Sequence, residues 1–181
     1  MSVRIFHPSV APFVQQVARS IHEAGQLESF MTTFRDRPES WMQRGFCALG
    51  RLAGRDLAPQ FRRRAITEIP IAKVHSRPWG ELLRVATANV DRDGRLTDYV
   101  WERTEGAFDL QVARSLHPGL TGIYCFEYSS LATITRARAL GLRVAYDAPA
   151  PEPTVVQAIL DRELAQFPEL LTPWHRWTAE R

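Results

Sequence analysis

Cysteine is nearly absent from these 181 residues, only Cys47 and Cys125 being present. Two thiols, one of them inside an apolar run, do not make a disulfide framework, and a reducing compartment, the cytoplasm, is expected. Long apolar runs are missing as well. None approaches the ~20 residues needed to cross a bilayer, and the N-terminus lacks the basic region and apolar core of a signal peptide. Any membrane contact is therefore expected to be peripheral. Glycine is missing where a phosphate-binding fingerprint needs it: the turn His7-Pro8-Ser9 has none, and neither G-x-G-x-x-G nor the P-loop occurs. A nicotinamide or ATP cofactor is not expected. His22, His75, His117 and His175 show no metal-ligand spacing with cysteine or acidic partners, so no metal is predicted. A nucleophile elbow is absent, and neither cysteine has a histidine next to it. Lysine is scarce too. Lys73 is the sole lysine among 23 cations, which face 20 acids for a net charge of +3. Arginine suits carboxylate and phosphate pairing, but GC-rich coding produces the same usage. The run Phe61-Arg62-Arg63-Arg64 reads as a solvated face, and nucleic acid is not an expected partner.

What is present is a chain that can bury a core. Its 45% hydrophobic content and its length suggest one domain. Gly122 to Pro149 organises the reading. An apolar run, Ile123 to Phe126, precedes about three helical turns closed by Gly141, and a second β-rich run, Leu142 to Tyr146, follows. This is a β-α-β unit with parallel strands, in which Ser129 or Ser130 can cap the helix. A second such unit opens the chain. Val3 to Phe6 is a strand; Val10, Phe13, Val14, Val17, Ala18 and Ile21 mark one buried helical face, with Ser9 as a plausible cap and Gly25 as the stop. Leu27 to Phe34 then reads as a strand.

Between the two units the pattern is less regular. Residues 35 to 64 predict short helices or a mobile loop, and Ala65 to Ile69 is strand-like. A helix is expected from Trp79 to Ala88, a turn at Asp91 to Gly94, and a helix from Thr97 to Leu116 that Gly106 can break in two. Beyond Asp147, three prolines keep the chain extended, and Val155, Val156, Ile159, Leu160, Leu164 and Phe167 mark an amphipathic helix stopped by Pro168. The fold class is therefore α/β, a Rossmann-like parallel sheet flanked by helices. Ligands of such sheets bind beyond the carboxyl ends of the strands.

Particular residues carry a resemblance. Glu127-Tyr128, Leu131 with Thr133, Arg136-Ala137, Leu140-Gly141 and Tyr146-Asp147-x-Pro149, then Leu160, Glu163 and Phe167-Pro168-Glu169, resemble a bacterial branch of the glycosyltransferase family 4 enzymes. The resemblance is strongest over residues 121 to 170. It implies one half of a GT-B fold, the amino-terminal domain that holds a sugar or other hydroxyl acceptor in a retaining transferase. In that family a carboxyl-terminal domain binds the nucleotide-sugar donor through a basic pair and an E-x7-E motif. No two glutamates here are eight positions apart, so the resemblance puts the donor on a domain outside these residues.

The candidate site residues lie at the strand ends. Glu127 can accept a hydrogen bond from an acceptor hydroxyl or serve as a base, or it can cap the next helix. His7, with Pro8 and Ser9, can touch acceptor or donor phosphate, or simply cap a turn. Tyr128 and Ser129 can line the acceptor pocket, or pack and cap. Asp147 can bind a sugar hydroxyl or orient the loop after its strand. The leading expectation is the acceptor-binding half of a glycosyltransferase. A non-catalytic binding or scaffold domain is the alternative, and an unrelated Rossmann-like nucleotide binder is a third reading.

Overall fold

The computed structural model describes residues 1–52, 54, 56–127, 129–148 and 151–172. Tyr128 and Pro149, singled out above, lie outside the described residues. Five parallel strands form one sheet: β1 (Val3–Phe6), β2 (Leu27–Thr32), β3 (Val74–Ser76), β4 (Gly122–Phe126) and β5 (Arg143–Asp147), in the order β3-β2-β1-β4-β5. Helix α1 (Pro12–Glu23) joins β1 to β2. Then α2 (Trp41–Leu52) and α3 (Ala58–Arg62) precede β3, and α4 (Trp79–Val90) and α5 (Arg95–Ser115) follow it. Helix α6 (Leu131–Ala139) joins β4 to β5, and α7 (Pro153–Gln166) comes last.

Strand alternation sorts the core into two layers. Ile5, Phe30 and Phe126 point to the face covered by Val14 and Ala18 of α1. Phe6, Met31, Ile123 and Cys125 point to the opposite face, against Phe108, Val112 and Leu116 of α5 and Ala137 of α6. Burial on both faces is why β4 reads as a continuous apolar run. Gly141 ends α6 at φ +69, where its amide donates to Arg138 O at 3.0 Å and Leu142 N donates to Ala137 O at 2.9 Å. Only a residue without a Cβ takes that φ cheaply, so the chain turns at once into β5.

Several expectations need correction. Strand β2 stops at Thr32, and Phe34 instead stacks on Phe61 with ring centroids 5.1 Å apart, in a third small cluster with Cys47, Leu57 and Leu82. Ala65 to Ile69 is not a strand. Ile69 is buried against the α1 layer, Pro70 has no amide to give a ladder, and the edge strand forms later, at Val74–Ser76 against Phe30–Thr32. Gly106 does not break α5, which packs against both α4 and α6. Ser9 does not cap α1, whose N-cap is Ala11 with no side-chain bond. The apolar positions of α7 join none of the three core clusters, and Val155 and Ile159 are exposed. No helix among the described residues is long and apolar enough to cross a membrane.

Candidate functional site

The strand order reverses at β1: one connection leads outward to β2, and the chain later returns to place β4 on the other side. At such a switch point the loops diverge and leave a crevice beyond the carboxyl ends. A cavity of about 290 Å³ lies here. His7, Pro8 and Ser9 after β1, Thr33 after β2, and Phe126 and Glu127 at the end of β4 line one side. Arg64, Glu81 and Arg84, with Trp101, Thr104 and Glu105 of α5, complete it. Gly80 lets α4 close onto α5, since a Cβ there would stand 3.0 Å from Thr104 Cβ.

His7 is held by two features. Its ring meets Phe126 and Phe13 edge-on, at centroid distances of 5.2 and 5.9 Å. Its Nδ1 lies 3.0 Å from Ser9 N, 3.1 Å from Ser9 Oγ and 2.8 Å from Ser9 O. Nδ1 therefore finds a partner in either tautomer, accepting from the amide or donating to the carbonyl. Ser9 positions the imidazole. Burial among the aromatic rings pushes the His7 pKa below its usual value, against the opposing pull of the Ser9 backbone and the Glu127 charge. Pro8 is pinned to the residue after β2, its carbonyl accepting from Thr33 Oγ1 at 2.6 Å.

Glu105 was not singled out by sequence. Burial pushes its pKa up, partly offset by hydrogen bonds from Ser129 and Trp101 and by the charge of Arg84. Ser129 Oγ donates to Glu105 Oε2 at 2.8 Å. Ser129 sits at φ +42, the one positive φ among the described non-glycine residues. A serine in the left-handed region costs free energy, and such strain collects at functional sites. Arg64 and Arg84 share the Glu81 carboxylate, Arg84 through Nε at 2.9 Å and Nη2 at 2.6 Å. The cavity wall thus holds the Arg64–Glu81–Arg84 cluster together with the carboxyls of Glu105 and Glu127.

The helix after β4 is capped from elsewhere. Asp109 of α5 accepts from Ala132 N at 2.7 Å and Thr133 N at 2.9 Å, and from Thr133 Oγ1 at 2.6 Å. Neither Ser129 nor Ser130 caps α6, contrary to expectation, because a buried carboxylate already occupies its first amides. The same fact removes helix capping as a role for Glu127. Its backbone amide donates to Asp147 O at 2.9 Å, continuing the β4–β5 ladder, while its side chain lines the cavity. Asp147 is placed differently. Its carboxylate accepts from Tyr124 Oη at 2.9 Å within the sheet, and it is not part of the cavity wall.

His7, Pro8, Ser9 and Glu127, all expected at strand ends, therefore meet in one cavity, with Ser129 bonded to its Glu105. Sequence reasoning missed Glu81, Arg84 and Glu105. Their only sequence signals are helical spacings, Glu81 with Arg84 at i, i+3 and Trp101 with Glu105 at i, i+4. Among the described residues no cluster of His, Cys, Asp and Glu could hold a metal ion. No family model, curated protein or solved structure matches this chain.

Proposed function

We propose that this chain is the acceptor-binding part of a nucleotide-sugar-dependent glycosyltransferase. The observation that carries the reading is the cavity at the strand-order reversal, where His7, Glu105 and Glu127 face a common space. A sugar or other hydroxyl acceptor needs hydrogen-bond acceptors and an aromatic wall, and Trp101, Phe13 and Phe126 supply the wall. Glu127 is the proposed base or hydrogen-bond acceptor for the reacting hydroxyl, and Ser9 orients His7 beside it. Burial raises the Glu105 carboxyl and lowers the His7 imidazole, so the two groups that flank the proposed base are both shifted toward their neutral forms. The diphosphate and anomeric carbon of the donor belong, on this reading, to a second domain. This half supplies orientation.

The test is a binding screen of residues 1 to 181 against sugars, glycosides and nucleotide-sugars. Acceptor-type hydroxyl compounds should bind, and Glu127→Gln should weaken them by about 10- to 100-fold, the worth of a hydrogen bond to a charged group, ~1.5–3 kcal/mol. Melting should change little, since no helix cap is lost. Sub-micromolar binding of a nucleotide-sugar by this chain alone would refute the assignment to the acceptor side.

A further inference from the structure

A second cavity, of about 110 Å³, lies beyond the carboxyl ends of β2 and β3. Phe34, Met42, Pro78 and Leu82 give it an apolar wall, and Arg35 and Arg37 give it charge. Both arginines have a buried Nε with no hydrogen-bond partner among the described residues. A buried guanidinium N–H left unmade is costly, and proteins rarely tolerate two side by side. Nearby carboxylates do not answer them. Asp36 accepts from Gln43 Nε2, and Glu39 is exposed, though its charge acts on Arg35. Neither Arg35 nor Arg37 makes an ion pair with any described residue. Arg35 Nη1 donates to Ile71 O at 3.2 Å, and burial and the charge of Arg37 push the Arg35 pKa down against the pull of Glu39.

The loop that carries the pair is fixed. Gln43 Oε1 accepts from Arg37 N at 2.7 Å, Ser40 N donates to Arg37 O at 2.8 Å, and Phe34 is anchored on Phe61. Arg37 and Ser76 also form part of a larger groove of about 940 Å³, whose wall includes Arg77 and Arg114 and no acidic residue. More than one positive charge therefore faces the same space. A carboxylate would answer one of them; a phosphate carries enough charge and acceptor oxygens for a guanidinium pair.

We propose that Arg35 and Arg37 bind the phosphate of an organic phosphomonoester, with the remainder of the molecule lying in the groove beside Arg77 and Arg114. The site is separate from the crevice at β1 and β4 and does not rest on the function proposed for it. A sugar phosphate and a lipid phosphate share this chemistry.

The test uses residues 1 to 181 with inorganic phosphate, glycerol phosphate, and vesicles of phosphatidylcholine with or without phosphatidic acid, each against chloride at matched ionic strength. Phosphate should raise the melting temperature saturably where chloride does not, and glycerol phosphate should bind more tightly than phosphate. Arg35→Gln and Arg37→Gln should each weaken binding at least ~tenfold, while Arg37→Gln melts no lower than the native chain in phosphate-free buffer, because a like-charge contact is relieved; Arg35→Gln also gives up the bond from Nη1 to Ile71 O. Binding from solution identifies a soluble ester; binding only to vesicles with phosphatidic acid identifies a lipid source for the same site. Should a glutamine variant fail to fold, Arg37→Lys, which keeps the charge and loses the planar fork, should still weaken phosphate binding. A phosphate response equal to that of chloride, or unchanged in the folded variants, would overturn the proposal.

Discussion

Replacing Asp109 with alanine tests how the loop that shapes the cavity is held. Asp109 is 6% exposed, and its carboxylate accepts from two backbone amides of α6, Ala132 N and Thr133 N, and from the Thr133 hydroxyl. The hydroxyl retains a partner in the variant, since it also lies 3.1 Å from the Asp109 carbonyl. The amides do not. Each orphaned buried donor costs about 1–3 kcal/mol, and loss of a helix cap alone costs about 1 kcal/mol, contained within that figure. A total of ~3 kcal/mol is expected, which for a chain of this size lowers the melting temperature by ~6–12 °C. Asp109→Asn keeps one acceptor oxygen and should lose about half as much. Ser130→Ala is the contrast. Ser130 occupies the N-cap position but makes no side-chain cap bond, so its loss should stay within ~0.5 kcal/mol. Thermal and urea unfolding of the three variants decide the matter. A Ser130→Ala loss of ~1–2 kcal/mol beside an Asp109→Ala loss below ~1 kcal/mol would show that α6 is capped locally and that the long-range cap is wrong.

Other expectations concern titration and reactivity. Because the folded state raises the Glu105 pKa, Glu105 contributes stability at low pH that is lost as pH rises through the raised value. Glu105→Gln, which can still accept from Ser129, should therefore flatten the fall in stability above the ordinary carboxylate range and melt higher than the native chain at neutral pH; an unchanged pH profile would refute the burial argument. His7 has the opposite sign: its lowered pKa gives stability that is present above pH ~6.5 and lost as pH falls below it. His7→Gln should reduce that acid loss in urea titrations at pH 5 to 7. Burial, helped by the charge of Asp109, pushes the Cys125 thiol up to about 12. Only ~10⁻⁴ of it is thiolate at pH 8, so iodoacetamide should label Cys125 only after unfolding, as mass spectrometry of the alkylated peptides can show.

Local rules recovered much of the fold. The apolar run Ile123–Phe126 is a strand because burial on both faces demands continuous hydrophobicity, and that pattern needs no knowledge of neighbours. The 3.6-residue spacing of Val10, Val14 and Ala18 and the positive-φ glycine Gly141 are local in the same sense. Where short-range signals competed with packing, they failed. Ala65 to Ile69 has strand composition, yet the sheet edge was taken by Val74–Ser76, because pairing with β2 depends on where residues 35 to 73 deliver the chain. Ser9 and Ser130 are good caps by residue type, but Ser9 serves His7 and α6 is served by Asp109, 23 residues upstream of Ala132.

For the site the division is sharper. The sequence by itself determined that His7, Ser9 and Glu127 stand at the carboxyl ends of strands, since strand ends are set by local hydrophobicity. Only the tertiary structure decided that β1 and β4 are neighbours and that α4 and α5 fold over them. Those contacts join residues about 20 to 120 positions apart, and no short-range pattern encodes which polar groups will face each other across them. Glu105 reads in sequence as one more solvated carboxylate on an exposed helix; closure of α5 over the sheet buries it, raises its pKa and bonds it to a strained Ser129. Arg35 and Arg37 after β2, each with an unpaired Nε, are the same case. Their charge is written in the sequence, and the lack of an ion pair arises only when the loop from Phe34 to Ser40 is pinned, with Asp36 taken by Gln43 and Glu39 left exposed.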